Sequence, residues 1–210
     1  MYSSTIKIKD YDLQNVPTST GRADVVIRVM KSALFQPEGY NPEIGFLLFP
    51  NPALLEDTAH STELKQLNSK AFLITSESQY FQSESYRDFS EHELLQALYD
   101  SFLLLDNDSH NSLFHKQISS DIYECVNLLV EERIPVFLLH ENGEVLENFN
   151  FLHDLSSEKI CVILGDQVGY SDIDTTSFPP DVRHISIGNT SYLGSSTVTL
   201  LKWMIWKSRW

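Results

Sequence analysis

The sequence predicts an α/β fold with a largely parallel sheet flanked by helices, and three features of its 210 residues predict it. Short β-rich runs alternate with stretches of helical period along the chain. Some of those runs, such as Cys161-Val162-Ile163-Leu164, are apolar without alternation, the pattern of a strand covered on both faces. Two of them stop at glycine, at Gly165 and at Gly188, as strands do where backbone must let something approach closely.

Taken in order, Thr5 to Lys9 alternates as a strand, and Asp10 to Thr20 is a polar connection containing Pro17. From Arg22 to Phe35 the apolar set Val25, Val26, Val29, Met30, Ala33 and Leu34 recurs at helical spacing, with Ser19 or Thr20 as the cap. Ile44 to Phe49 is a buried strand closed by Pro50-Asn51-Pro52, and Ala71 to Ile74 is another; both are too short for helices. Glu91 to Leu105 and Ser120 to Glu132 are helices by period. The second feeds through Arg133 into a strand from Ile134 to His140 and a turn at Glu141-Asn142-Gly143-Glu144. Cys161 to Leu164 and His184 to Ile187 complete the strands. The last helix, after Gly194, carries Thr197, Val198, Leu200, Leu201, Trp203, Met204, Ile205 and Trp206, which leave it almost no polar face. Such a helix must be covered, either by a second subunit or within its own chain.

Hydrophobic residues make up 42% and charged residues 21% of the chain, which fits one globular domain, soluble and cytoplasmic. No apolar run approaches membrane-spanning length, so no membrane partner is expected. Cys125 and Cys161 lack any paired spacing and read as reduced, buried thiols. The seven histidines show no ligand spacing, so no metal is expected. A net charge of −14 argues against nonspecific adhesion to nucleic acid, DNA included. Basic character is confined to the ends: Lys7, Lys9, Arg22, Arg28 and Lys31 near the start, Lys202, Lys207 and Arg209 at the finish. Brought together, those ends could offer an anionic polymer a local docking surface; as solvated charges they do nothing. There is no Gly-rich phosphate loop and no dinucleotide fingerprint.

Three segments in order carry a family resemblance. Asp12-Leu13-Gln14-Asn15-Val16-Pro17 leads to Gly21-Arg22-Ala23-Asp24. Leu139-His140-Glu141-Asn142-Gly143-Glu144 follows, then Ile163-Leu164-Gly165-Asp166-Gln167-Val168-Gly169 with Ile185-Ser186-Ile187-Gly188-Asn189-Thr190-Ser191-Tyr192-Leu193. Together they resemble the archaeal-type, position-54 tRNA pseudouridine N1-methyltransferases of the SPOUT class. The resemblance covers most of the chain, with residues 36 to 115 contributing little.

The resemblance implies a single SPOUT domain over residues 1–210, a C-terminal trefoil knot within about 134–210, an obligate homodimer, S-adenosylmethionine as cofactor and tRNA as the RNA substrate. Knots are rare exceptions among folds, so no periodicity argument produces one. By matching position the cofactor contacts would be Leu139, Gly165, Ile187, Gly188, Asn189, Thr190, Ser191, Tyr192 and Thr197. Arg22 would touch a phosphate or a base edge, and Asp24 would orient the base or take its proton. The plainer readings stay open: Asp24 and Arg28 stand at i,i+4 and could form a helix-surface pair, and Gly165-Asp166 could be a tight turn whose carboxylate accepts backbone N–H bonds. Gln167 stands where the family has His, Asn189 where it has Pro, and Thr197 where it has Cys; the segment Asn111 to Ile118 offers RNA only His115 and Lys116. Two other functions fit the pattern: a non-catalytic dimer keeping the knot and cofactor for a structural or regulatory role, and an unrelated flavodoxin-like module binding a small anion.

Overall fold

The computed structural model describes residues 1–3, 6, 12, 15, 21–34, 44–50, 71–75, 90–103, 116–118, 121–146, 159–166, 168–170, 173–188 and 193–208. Its elements run β1 (Tyr2–Ser3), α1 (Ala23–Leu34), β2 (Gly45–Pro50), β3 (Ala71–Thr75), α2 (Glu91–Leu103), β4 (Lys116–Ile118), α3 (Ile122–Glu131), β5 (Val136–Val145), β6 (Cys161–Ile163), β7 (Arg183–Ser186) and α4 (Gly194–Ser208). The expected strand at Thr5 to Lys9 lies outside the described residues, Ile6 apart.

The strands form two sheets, ordered β1-β2-β3-β4 and β6-β5-β7. The second is wholly parallel, as its apolar runs predict. The first departs from the expectation of a largely parallel sheet, since β2-β3 and β3-β4 pair antiparallel and only β1-β2 is parallel. Pairing direction is set by how the chain returns between strands, and a short apolar run carries no record of it.

β1 is the seam between the sheets. Tyr2 and Ser3 pair with Phe49 and Pro50, while the Tyr2 N–H donates to the carbonyl of Leu164, just past β6, at 2.8 Å. Side chains alternate across that seam: Met1 enters the core with α1, α2 and Phe46 and Leu48 of β2, whereas Tyr2 packs with α3, Val136, Leu138 and Ile163. β5 alternates the same way. Val136 and Leu138 face α3, and Phe137 and Leu139 face Leu201 and Met204 of α4. Both faces are covered, which is why the sequence shows no polar alternation.

Each helix has a local reason to start or stop. α1 follows Gly21 and Arg22, both in left-handed backbone at φ 59° and 67°. α2 opens with a capping box: Glu93 N–H donates to Ser90 Oγ at 3.2 Å, and Glu93 Oε2 accepts the Ser90 N–H at 2.7 Å. These bonds hold the Glu93 carboxyl below its usual range. Asp121 caps α3, accepting the Glu124 N–H at 2.8 Å. α3 ends in a Schellman motif with Arg133 at φ 60°, where the Ile134 N–H reaches Leu129 O and the Arg133 N–H reaches Val130 O, each at 2.9 Å. That turn aims Pro135 into β5.

α4 buries Thr197, Val198, Leu201 and Met204 and leaves Trp203 47% exposed. Cover for the helix therefore comes partly from its own chain, which the sequence could not decide. α4 packs on α1, where Lys202 Nζ donates to the carbonyls of Ser32 at 3.0 Å and Ala33 at 2.9 Å, the last turn of α1. A cation there satisfies carbonyls with no helical partner. Desolvation brings that ammonium down to about 8.

Candidate functional site

β6, β5 and β7 run parallel, and Ile163, Leu138 and His184 stand abreast in the ladder. The stretches from Gly165 and from Ile187 therefore leave β6 and β7 near the level of Leu139, which lies within β5 where its register with β7 slips. Four predicted cofactor positions, Leu139, Gly165, Ile187 and Gly188, are thus brought together. Asn189, Thr190, Ser191 and Tyr192 lie outside the described residues, as does Gln167. Thr197 sits in the first turns of α4, which follow the Gly188 loop; it is 4% exposed and its N–H donates to Leu193 O at 2.9 Å.

The glycines at this edge differ in what they allow. A Cβ on Gly165 would stand 2.7 Å from the carbonyl oxygen of Gly169, backbone against backbone. The loop between them is a tight bridge: the Gly169 N–H bonds Asp166 O at 3.0 Å, and the Val168 N–H bonds Asp166 Oδ1 at 2.8 Å. Asp166 is therefore the turn-former, and its Oδ2 also accepts the Ser3 hydroxyl at 3.1 Å. Gly188 is the opposite case: a Cβ there would meet nothing within 4 Å, but its φ of 131° suits glycine alone. Leu139 and Ile187 are partly buried against the core that Leu201 and Met204 of α4 cover. The ends of parallel strands are where open α/β sheets hold their ligands.

Two residues missed in the sequence hold the edge in shape. Ser186, 3% exposed, donates its hydroxyl to Gly188 O at 3.0 Å and accepts the Gly188 N–H at 3.2 Å, fixing the first bend after β7. The Tyr170 hydroxyl lies 2.9 Å from Leu139 O and 3.0 Å from Ile163 O, joining β5 to the end of β6. A Ser two places before a Gly was a visible signal; a Tyr in an acidic loop was not. Gly143 serves β5 itself. Register slips there, with Leu139 and Glu144 both opposite Ile185, and a Cβ on Gly143 would come 2.5 Å from Ile185 backbone.

Arg22 and Asp24 stand apart from this edge in sequence but meet each other. Arg22 Nε and Nη2 donate to Asp24 Oδ1 and Oδ2 at 2.9 and 3.2 Å, and Arg28 Nη2 donates to Oδ2 at 3.0 Å. The i,i+4 pair is real, and Arg28 extends it to Glu91 at 3.1 Å. Asp24 is 6% exposed, so its charge is held almost wholly by the two guanidiniums. Hydrogen bonding to Asp24 raises Arg22 further above its already high range. The pair rides on α1, which packs against α4; a Cβ on Gly194, at the start of α4, would lie 2.9 Å from Val29 Cγ2. Among the described residues no group of three or more His, Cys, Asp or Glu could hold a metal ion, and no helix is long and apolar enough to cross a membrane.

No family model matches the chain. It is 27% identical over 199 residues to the tRNA (pseudouridine(54)-N(1))-methyltransferase of Thermococcus onnurineus, covering 90% of this chain and 86% of that protein. The enzyme of the same name from Pyrococcus abyssi is 21% identical over 202 residues, covering 90% and 86%. That from Methanococcus maripaludis is 25% identical over 179 residues, covering 82% and 78%. Among solved structures, Archaeoglobus fulgidus Nep1 bound to S-adenosylhomocysteine matches at a TM-score of 0.56 and 14% identity, covering 95% of this chain and 81% of that one. Sequence and fold therefore agree with the motifs: this chain is similar along most of its length to archaeal tRNA (pseudouridine(54)-N(1))-methyltransferases, and its mixed α/β fold is similar to that of Archaeoglobus fulgidus Nep1.

Proposed function

We propose that this protein is an S-adenosylmethionine-dependent RNA methyltransferase that methylates N1 of pseudouridine in tRNA, working in the cytoplasm as a homodimer. In this reading its 210 residues form one SPOUT domain, with a C-terminal trefoil knot within about 134–210. The observation that carries the reading is the convergence of Leu139, Gly165 and Gly188 on one strand edge, at positions matching the family's cofactor segments. Asn189, Thr190, Ser191, Tyr192 and Thr197 complete the cofactor contacts in this reading.

Bound there, S-adenosylmethionine supplies an electrophilic methyl group. The chain's own work is alignment and relief of the N1 proton. Apolar walls from Leu139 and Ile187 exclude water, and Ser186 keeps the Gly188 bend open toward the ligand. Arg22, 37% exposed at its side chain, is the group that can reach an RNA phosphate, with Asp24 setting its direction. Both oxygens of Asp24 are engaged by guanidinium N–H groups. A phosphate drawing Arg22 away would free Oδ1, so that Asp24 accepts the proton only when RNA is present.

The test is incubation of the protein with labelled S-adenosylmethionine and tRNA carrying pseudouridine at position 54, followed by nucleoside mass spectrometry. N1-methylpseudouridine is the expected product. No labelled nucleoside at saturating cofactor would leave the non-catalytic reading standing in its place.

A further inference from the structure

The Tyr170 hydroxyl joins two strands past the reach of their own ladder. β5 and β6 pair from Val136 opposite Cys161 to Leu138 opposite Ile163. Beyond that last pair β6 ends, while β5 runs on to Val145. There the hydroxyl lies 2.9 Å from Leu139 O and 3.0 Å from Ile163 O, one carbonyl from each strand. Its ring stacks on His140 with centroids 6.4 Å apart and packs against the core on the α3 side. The same residue closes the loop that begins at Gly165, directly after the bridge between Asp166 and Gly169.

The geometry points to Tyr170 as the positioning residue of the cofactor site: its hydroxyl sets the gap between Leu139 of β5 and the end of β6 and so fixes Leu139 and Gly165 relative to each other. This rests on the cofactor reading above. A hydroxyl has one proton for two acceptors, so Tyr170 shares it between both carbonyls and favours one spacing between the two strands. Burial pushes the phenol well above its ordinary range, so it stays a donor at all physiological pH. Without the hydroxyl the two carbonyls lose a shared partner, and the ring alone still fills its place in the core.

Tyr170→Phe is the test, with binding of S-adenosylhomocysteine followed by calorimetry and cofactor KM and kcat followed in the methylation assay. Losing one buried hydroxyl should raise Kd about tenfold and raise KM in parallel, with kcat little changed. Binding stoichiometry should stay that of the wild type, because the folded fraction is preserved. Ile173→Val, which trims the same core layer away from the strand ends, should lower stability and leave Kd alone. Equal Kd for wild type and Tyr170→Phe overturns the positioning role while the cofactor reading survives. A similar rise of Kd in Ile173→Val also overturns it, since general loosening would then suffice. A wild type that binds no S-adenosylhomocysteine overturns both.

Discussion

Arg22 reaches forward past Ala23 to place its Nε 2.9 Å from Asp24 Oδ1, and it does so from a backbone at φ 67° that a residue with a side chain seldom adopts. Such conformations cost about 1 kcal/mol or more and persist where surroundings fix them. Here the ion pair and the start of α1 do the fixing, with the Val25 N–H bonded to Arg22 O at 2.9 Å.

Arg22→Gly is therefore the variant to test. Glycine accepts the backbone and removes the guanidinium; the gain in backbone ease is outweighed by taking two hydrogen bonds from the buried Asp24, which keeps Arg28, so a stability loss of about 1–3 kcal/mol is expected. Methyl transfer should fall ~100-fold or more if Arg22 places the RNA. Wild-type turnover by a folded Arg22→Gly protein would remove Arg22 from the mechanism.

Gly165 and Gly188 should fail for different reasons. Gly165→Ala drives a Cβ to 2.7 Å from Gly169 backbone, which has nowhere cheap to move, so a loss of about 1–3 kcal/mol in stability is expected along with cofactor binding. Gly188→Ala meets no atom and suffers only its φ of 131°, while Gly188→Val adds bulk toward the open space beside it. Titration with S-adenosylhomocysteine should show the alanine weakened and the valine silent. Full affinity in Gly188→Val would move the ligand elsewhere.

Lys202 gives the protein a pH signature. Its ammonium is held near 8 in the fold against 10.5 for a free side chain, so between those values the unfolded chain keeps a proton that the folded chain has released. Stability contributed by this site accordingly rises with pH across that window, and its penalty is fully present below it. Cys125, raised by burial from 9.0 to about 11, acts oppositely above pH 9.0. Subtracting the profile of Lys202→Met cancels the thiol. The difference curve should climb in favour of wild type from about pH 8 to 10.5; a flat difference would show that the ammonium is not desolvated as placed.

Trp203 tests the proposed homodimer. It is 47% exposed, with Lys207 Nζ 5.1 Å from the centre of its ring. An outward Trp on an otherwise well-packed helix is a natural anchor for a second copy. Trp203→Glu should sediment as a folded monomer, with circular dichroism unchanged. A dimer of undiminished affinity would shift the interface off α4. The side chain of Trp206 lies outside the described residues.

Much of the chain's organisation is written in its apolar spacing. α1 lies within a residue of its predicted span, because Val26, Val29, Met30 and Ala33 can share a face only in a helix. β6 and β7 likewise start within a residue of expectation. What was hidden is what depends on partners. β4 is three residues, Lys116–Ile118, with no apolar period of its own, and exists as a strand only because β3 lies beside it. β1 is two residues and gains its status from Phe49 and Leu164. β5 was expected to turn after His140, yet it continues to Val145, since Gly143 lets Ile185 backbone come close enough to resume pairing after the slip. At the strand edge, motif spacing singled out Leu139, Gly165 and Gly188, whereas Tyr170 meets carbonyls 31 and 7 residues away and left no local trace.

Residues Tyr2 and Ser3, pairing with β2 on one flank and bonded through the Tyr2 N–H to Leu164 on the other, tie the two sheets together alongside the packing of α4 on α1. The Met1 ammonium beside them donates to the carbonyl of Leu47 at 2.6 Å. A fusion partner attached rigidly ahead of Met1 would therefore pull on the seam itself.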